Sequence, residues 1–222
     1  MLERYPALQY VGPFLVFMLL LAAAPSIPLG QPAESIVRVL IIGASIWYFS
    51  RKVLDLRAPH WLASIALGIA VFVMWVAPDA LIPGWRSHWL FQNSITGTVK
   101  TSIDPSEFAN PLTVILRIAR AALLVPILEE LFWRGWLPRW LVNQEWQKVP
   151  LGRYTTFAFI GTAALFAAEH GPFWEVGLLC GLIYNWWMWR TKSLGDLILV
   201  HGVTNLCLSL YVLVTKKWEY WM

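Results

Sequence analysis

The sequence predicts an all-α protein, a polytopic membrane bundle of about seven to eight transmembrane helices, and three observations carry that prediction. Hydrophobic residues make up 58% of the 222 positions and charged residues 14%, against roughly 45–50% and 25% in soluble proteins. Apolar runs of bilayer-spanning length recur along the chain. Each run is continuously apolar, whereas barrel strands alternate in segments of about ten residues, and only helices and closed barrels satisfy every backbone group in lipid.

The elements follow in order. Ala7–Ala24 comes after Arg4 and ends in AAAPS, which resembles a secretory leader with its cleavage site. It is longer than a usual leader core, and the charge pattern below works with it retained, so it reads as an uncleaved first helix. Ser35–Ser50 and Trp61–Ala77 are the second and third spans. Pro78–Asn110 is the only long polar connection, carrying Asp79, Arg86, His88, Lys100, Asp104 and Glu107; it reads as a loop or partial cap. Pro111–Leu128, Tyr154–Ala168, Trp174–Trp189 and Leu194–Val214 complete seven spans, leaving little chain for a soluble domain. Residues 1–222 therefore read as one integral-membrane domain.

Basic residues set the orientation. Arg51, Lys52 and Arg57, then Arg134, Arg139, Lys148 and Arg153, then Arg190 and Lys192 all fall on one side if seven spans alternate, and the positive-inside rule makes that side cytoplasmic. The N-terminus is then cytoplasmic. Lys216 and Lys217 dissent, and an eighth crossing or a re-entrant piece would remove the dissent. Many of the 15 tryptophans, among them Trp61, Trp75, Trp133, Trp136, Trp174, Trp189, Trp218 and Trp221, fall near span ends, where they are expected as headgroup anchors. A net charge of +4, scattered along the chain, suits a lipid bilayer and excludes nucleic acid as a partner. Cys180 and Cys207 lie in apolar runs and read as packing residues.

Ionisable residues inside spans are costly and are functional candidates by default. Arg38, Arg117 and Arg120 can snorkel or pair. The rest cluster in the second half: Glu129, Glu130, Arg134, Glu169, His170 and His201. In the stretch VPILEELFWRGW, Glu130 and Arg134 stand four apart in the favourable acid-to-base order. Glu129 points about 100° away and has no basic partner at helical spacing. One glutamate is thus paired and the other is a candidate general base, unless both belong to an ordinary charge cluster at a helix end. FAAEH places Phe166 and His170 on one face, and HGVTN does the same for His201 and Asn205. Alone, His170 reads as a satisfied structural histidine and the His201–Asn205 pair as an interhelical hydrogen-bond pair. Together, a carboxylate, two histidines and an asparagine are the inventory for activating water and stabilising an oxyanion, and are close to the inventory of a zinc site.

The patterns EExxxR (Glu129, Glu130, Arg134), FxxxH (Phe166, His170) and HxxxN (His201, Asn205), in that order, resemble the CAAX protease and bacteriocin-processing (CPBP) family of intramembrane endopeptidases, whose eukaryotic branch is Rce1-like. The resemblance covers about 111–214, the implied catalytic core. GLIYNWW (Gly181–Trp187) and the stretch Thr204–Trp221 further resemble a bacterial, exosortase-associated subgroup, which implies a bacterial inner membrane.

The family resemblance implies hydrolysis of a peptide bond in a membrane-associated peptide or protein. By it Glu129 activates water with His170 assisting, His201 and Asn205 line the oxyanion site, Glu130 and Arg134 support the first motif, and Phe166 packs the wall. It implies no required cofactor; the alternative is zinc held by Glu129, His170 and His201. The competing function is a non-proteolytic membrane protein that uses the same polar cluster to bind a partner or small molecule. A transporter is disfavoured by the lack of an inverted repeat. Strict alternation places Glu129 and His201 toward the cytoplasmic half and His170 near the outer end of its span. Convergence then requires a short or displaced fifth helix, or a long, tilted fourth one.

Overall fold

A computed structural model describes residues 2–26, 29–99 and 108–221; Lys100, Asp104 and Glu107 of the polar connection lie outside them. Each apolar run is a helix: α1 Leu8–Ala23, α2 Ala33–Ser50, α3 Trp61–Leu81, α4 Pro111–Val142, α5 Thr156–Glu169, α6 Trp174–Thr191 and α7 Leu194–Thr215. Among the described residues there is no strand, only an isolated bridge between Asn93 and Gly97. The helices α2, α3, α4 and α7 are long and apolar enough to cross a membrane. Large apolar side chains such as Leu19, Leu40, Leu62, Ile115, Phe157 and Val214 stand exposed on the outside of the bundle. The chain is an all-α integral membrane protein.

Local chemistry sets the helix ends. Asn110 caps α4 by accepting from Leu112 N at 2.9 Å, with Pro111 at the first helical position. Ser193 caps α7 by accepting from Asp196 N at 3.1 Å, which satisfies one of the amides left open at a helix start.

α4 runs for 32 residues and is not uniform. Two π turns, Arg120–Leu124 and Leu131–Trp136, flank an α-helical piece, Val125–Glu130. Each π turn is followed within two residues by a proline, Pro126 or Pro138. A proline has no N–H and its ring collides with the carbonyl four residues back, so a wider local turn absorbs the misfit without breaking the helix.

Packing is close where glycine permits it. A Cβ on Gly202 of α7 would stand 2.7 Å from Ala122 O in the first π turn, and one on Gly68 of α3 would stand 2.7 Å from Val200 O of α7. In lipid, association depends on such backbone approach, because burying apolar surface against another helix gains little over burying it in lipid tails. α7 is thereby pressed between α3 and α4.

The tryptophan expectation needs correction in part. Trp75, Trp133 and Trp221 are buried in the bundle. They are core residues because each ring packs on aromatic neighbours: Trp75 on His170, Trp133 on Phe166 and Trp221 on Phe108.

The polar connection closes one end of the bundle. Arg86 meets Asp79 at 2.8 Å, Glu175 at 2.6 Å and the Pro172 carbonyl at 2.6 Å. The Tyr220 hydroxyl, from the turn after α7, donates to Asp79 Oδ2 at 3.0 Å. The loop, the start of α6 and the C-terminal turn are thus tied together above the interior.

Replacing Gly202 with leucine should lower the melting temperature in detergent, by about 1–3 kcal/mol of stability, since the new side chain must displace a backbone carbonyl. Gly161→Ala, where an added Cβ meets nothing within 4 Å, should leave melting unchanged or raise it. Equal behaviour of the two variants would mean that the α4–α7 approach is not needed.

Candidate active site

The polar residues singled out from the sequence gather around one cavity of about 230 Å³, lined by Glu129 of α4, Phe166 and His170 at the end of α5, Tyr184 of α6, and His201 and Asn205 of α7. Glu130 and Arg134 stand directly behind it. One condition for convergence is present, since α5 spans only 14 residues, and α4 is long as well. At roughly 1.5 Å per residue α5 is about 21 Å long. Its C-terminal His170 therefore ends within reach of the interior.

Behind the cavity, Glu130 has no exposed surface. Its Oε1 lies 3.1 Å from Arg134 Nη1 and 2.7 Å from His201 Nδ1. Arg134 Nε donates to Asn185 Oδ1 at 3.1 Å, and Asn185 Nδ2 donates to Phe159 O at 2.7 Å. The guanidinium also lies over two rings, 4.4 Å from the centroid of Phe166 and 5.2 Å from that of Tyr184, a favourable placement for a desolvated cation. Glu130 thus holds His201 as well as Arg134. Phe166 covers the guanidinium, which is a firmer role than filling a wall.

The adjacent acid is placed differently. Glu129 is 7% exposed, and its Oε2 makes no hydrogen bond with any described residue. It lies 4.0 Å from His201 Nε2, too far for a direct hydrogen bond and suited to one oxygen between them. His170 Nδ1 is 2.7 Å from Phe166 O. A carbonyl only accepts, so Nδ1 carries the proton and neutral His170 keeps Nε2 as an acceptor. Asn205 Nδ2 donates one hydrogen to Ala121 O at 2.9 Å, in the first π turn; the second hydrogen of the amide remains for the cavity. The structure thus places Glu129, His170, His201 and Asn205 on one space. Glu169, next to His170, accepts from Trp133 Nε1 at 3.1 Å.

Several residues of the site carried no assignment from the sequence. Asn185 lies in an apolar run, where an amide is itself a signal of a polar partner. Tyr184 donates to Thr204 at 3.0 Å, and Thr204 Oγ1 is 3.0 Å from the Gly68 carbonyl. This links α6, α7 and α3 along the cavity wall. Trp75 and Tyr220 also line the cavity; Tyr220 follows the last helix, where no periodicity marks it. Among the described residues, no three His, Cys, Asp or Glu side chains form a metal-ligating group.

Residues 111–207 match the family model for the type II CAAX prenyl endopeptidase, Rce1-like. The matched segment runs from the start of α4 into α7 and contains every motif residue from Glu129 to Asn205. A search of the curated proteins finds no match, and neither does a search of the solved structures.

Truncating Arg134 to alanine leaves Glu130 buried beside His201 without its cation, a change that typically costs about 3–5 kcal/mol. The expected outcome is a sharply lower yield of folded protein in detergent, with Asn185→Ala milder, since it removes a neutral partner. Full yield and unchanged melting of the Arg134 variant would show that the cluster is not a structural support.

Proposed function

We propose that this chain, Rce1-like over residues 111–207, is an intramembrane endopeptidase that hydrolyses a peptide bond of a membrane-associated substrate. The observation that carries the reading is the contrast between the two neighbouring glutamates. Glu130 is saturated by Arg134 and His201, whereas Glu129 presents an unbonded carboxylate oxygen to a cavity shared with both histidines and Asn205.

In the proposed reaction a water held between Glu129 and His170 Nε2 attacks the scissile carbonyl carbon while Glu129 takes its proton. The oxygen–carbon bond forms and the carbonyl oxygen becomes an oxyanion. In this proposal His201 acts as the imidazolium, with Nδ1–H donated to Glu130 and Nε2–H presented to the oxyanion. The second amide hydrogen of Asn205 supplies another donor. Collapse breaks the carbon–nitrogen bond, and Glu129 returns its proton to the leaving amine. No step requires a metal. A bacterial inner-membrane location, which the subgroup resemblance implies, and a cytoplasmic N-terminus, inferred from basic-residue placement, are part of the same proposal.

Glu129→Gln keeps the shape of the site and removes the base, so folded protein should persist while turnover collapses. Asn205→Ala should lower turnover per folded molecule by about 100- to 1000-fold with little change in apparent substrate affinity, as for removal of an oxyanion donor elsewhere. If the polar cluster instead serves binding or holds helices together, turnover per folded molecule stays near wild type in both variants and only affinity or melting changes. Cleavage of a prenylated CAAX peptide by purified protein is the assay.

Treatment with a strong chelator should leave that activity intact. Loss restored only by added zinc would move the histidines from proton transfer to ligation.

A further inference from the structure

The part of α4 nearer Pro111 carries charges that the proposed chemistry leaves unused. Arg117 and Arg120 line a second cavity of about 230 Å³, walled on α1 by Phe17 and Leu21. Asn205 and Tyr220 line both this cavity and the one holding Glu129, so the two adjoin. Arg120 lies nine residues after Pro111 in the first π turn, about 14 Å along the helix axis. A cation at that depth in an apolar helix is costly.

Among the described residues, Glu34 of α2 is the acid whose charge reaches Arg120, in competition with the neighbouring cation Arg38. Glu34 of α2 is held by Arg38. Arg117 is engaged, with Nη2 donating to the Trp221 carbonyl at 2.7 Å. Arg120 makes no hydrogen bond or ion pair with any described residue. A guanidinium matches an anion bearing two oxygens in a plane, which it binds through paired N–H donors. The apolar walls suit aliphatic or aromatic groups beside that anion.

We propose that this second cavity, anchored by Arg120, receives the terminal carboxylate of the peptide whose bond lies at Glu129, with Asn205 at the boundary between the two sites. The inference rests on the endopeptidase reading for the identity of the peptide. The depth of Arg120 favours a chain end threaded into the bundle over a lipid phosphate, which stays at the headgroup level. Specificity then comes from the substrate: a chain ending in a carboxylate gains a charge-assisted pair, and one blocked at its end leaves the arginine unpaired.

The test measures binding of a prenylated CAAX peptide, as the free acid and as its C-terminal amide, to the full chain carrying Glu129→Gln, so that nothing is cut. The free acid should bind about tenfold or more tightly than the amide. Adding Arg120→Gln should erase the difference, and Arg120→Lys should keep part of it. Equal binding of acid and amide, absence of binding by both, or discrimination that survives Arg120→Gln would overturn the proposal. Repeating the measurement in vesicles of phosphatidylcholine with and without phosphatidylglycerol separates the sources of the anion. If Arg120→Gln changes only the response to phosphatidylglycerol, the site belongs to a headgroup and the proposal is overturned. Failure of the endopeptidase reading looks different: the free acid binds in preference to the amide, yet protein with Glu129 intact does not cut it.

Discussion

The Glu130 carboxylate, wholly removed from solvent, is the constraint on which the other arrangements depend. It is bonded to Arg134 on its own helix and to His201 on α7, and Arg134 continues through Asn185 on α6 to the Phe159 carbonyl on α5. Four helices meet in one polar chain. Taking a carboxylate and a guanidinium out of water costs several kcal/mol each, and only near-complete hydrogen bonding offsets that. In a bilayer the apolar faces of helices gain little by choosing one another over lipid. A polar chain tied at these bonds, with the guanidinium face covered by Phe166 and Tyr184, therefore supplies what apolar packing lacks, a fixed rotation and height for each helix.

That fixed height depends on departures from regular helix in α4. Two π turns and their prolines re-aim successive faces of the helix, so that Arg117 and Arg120 serve one cavity, Glu129 another, and Glu130 with Arg134 the space behind it. The first π turn also frees the Ala121 carbonyl to accept from Asn205. Gly202, one turn before Asn205, lets the two backbones come close enough for that bond. Regular helix at Arg120–Leu124 or a side chain at Gly202 would separate α7 from α4, moving His201 away from Glu130.

Much of this was legible in the sequence because lipid makes patterns strict. Seven apolar runs became seven helices at nearly the expected positions, and the pairing of Glu130 with Arg134 followed from four-residue spacing alone. The fourth apolar run was bounded at Leu128, short of where the helix ends. The charges that follow looked like a headgroup cluster, whereas the chain continues helical to Val142 with Arg134 and Arg139 buried. The second partner of Glu130 was not legible, since spacing within a helix says nothing about a histidine 71 residues away. Nor were the roles of Trp75, Asn185 and Tyr220, each set by contacts between elements. The tryptophans near span ends carried an anchoring expectation that composition supports on average and that tertiary packing overrides at Trp75, Trp133 and Trp221.

The two adjacent glutamates show how one helix supplies two chemically distinct acids. About 100° of rotation separates successive side chains. Here that angle is the difference between a carboxylate bonded by both Arg134 and His201 and one with an oxygen that no described group bonds. A site built this way gains from rigidity twice. The saturated acid fixes His201, whose far ring nitrogen is held 4.0 Å from the unsaturated one. That separation is too long for a direct hydrogen bond and short enough for one oxygen seated beside both atoms to bridge them. Asn205 follows the same logic, since an amide carries two hydrogens: one clasps the Ala121 carbonyl, and the other is aimed because the first is held. Structural support and the orientation the proposed reaction needs are therefore properties of the same bonds, because the contacts that keep these helices in register also set the positions of Glu129, His201 and Asn205.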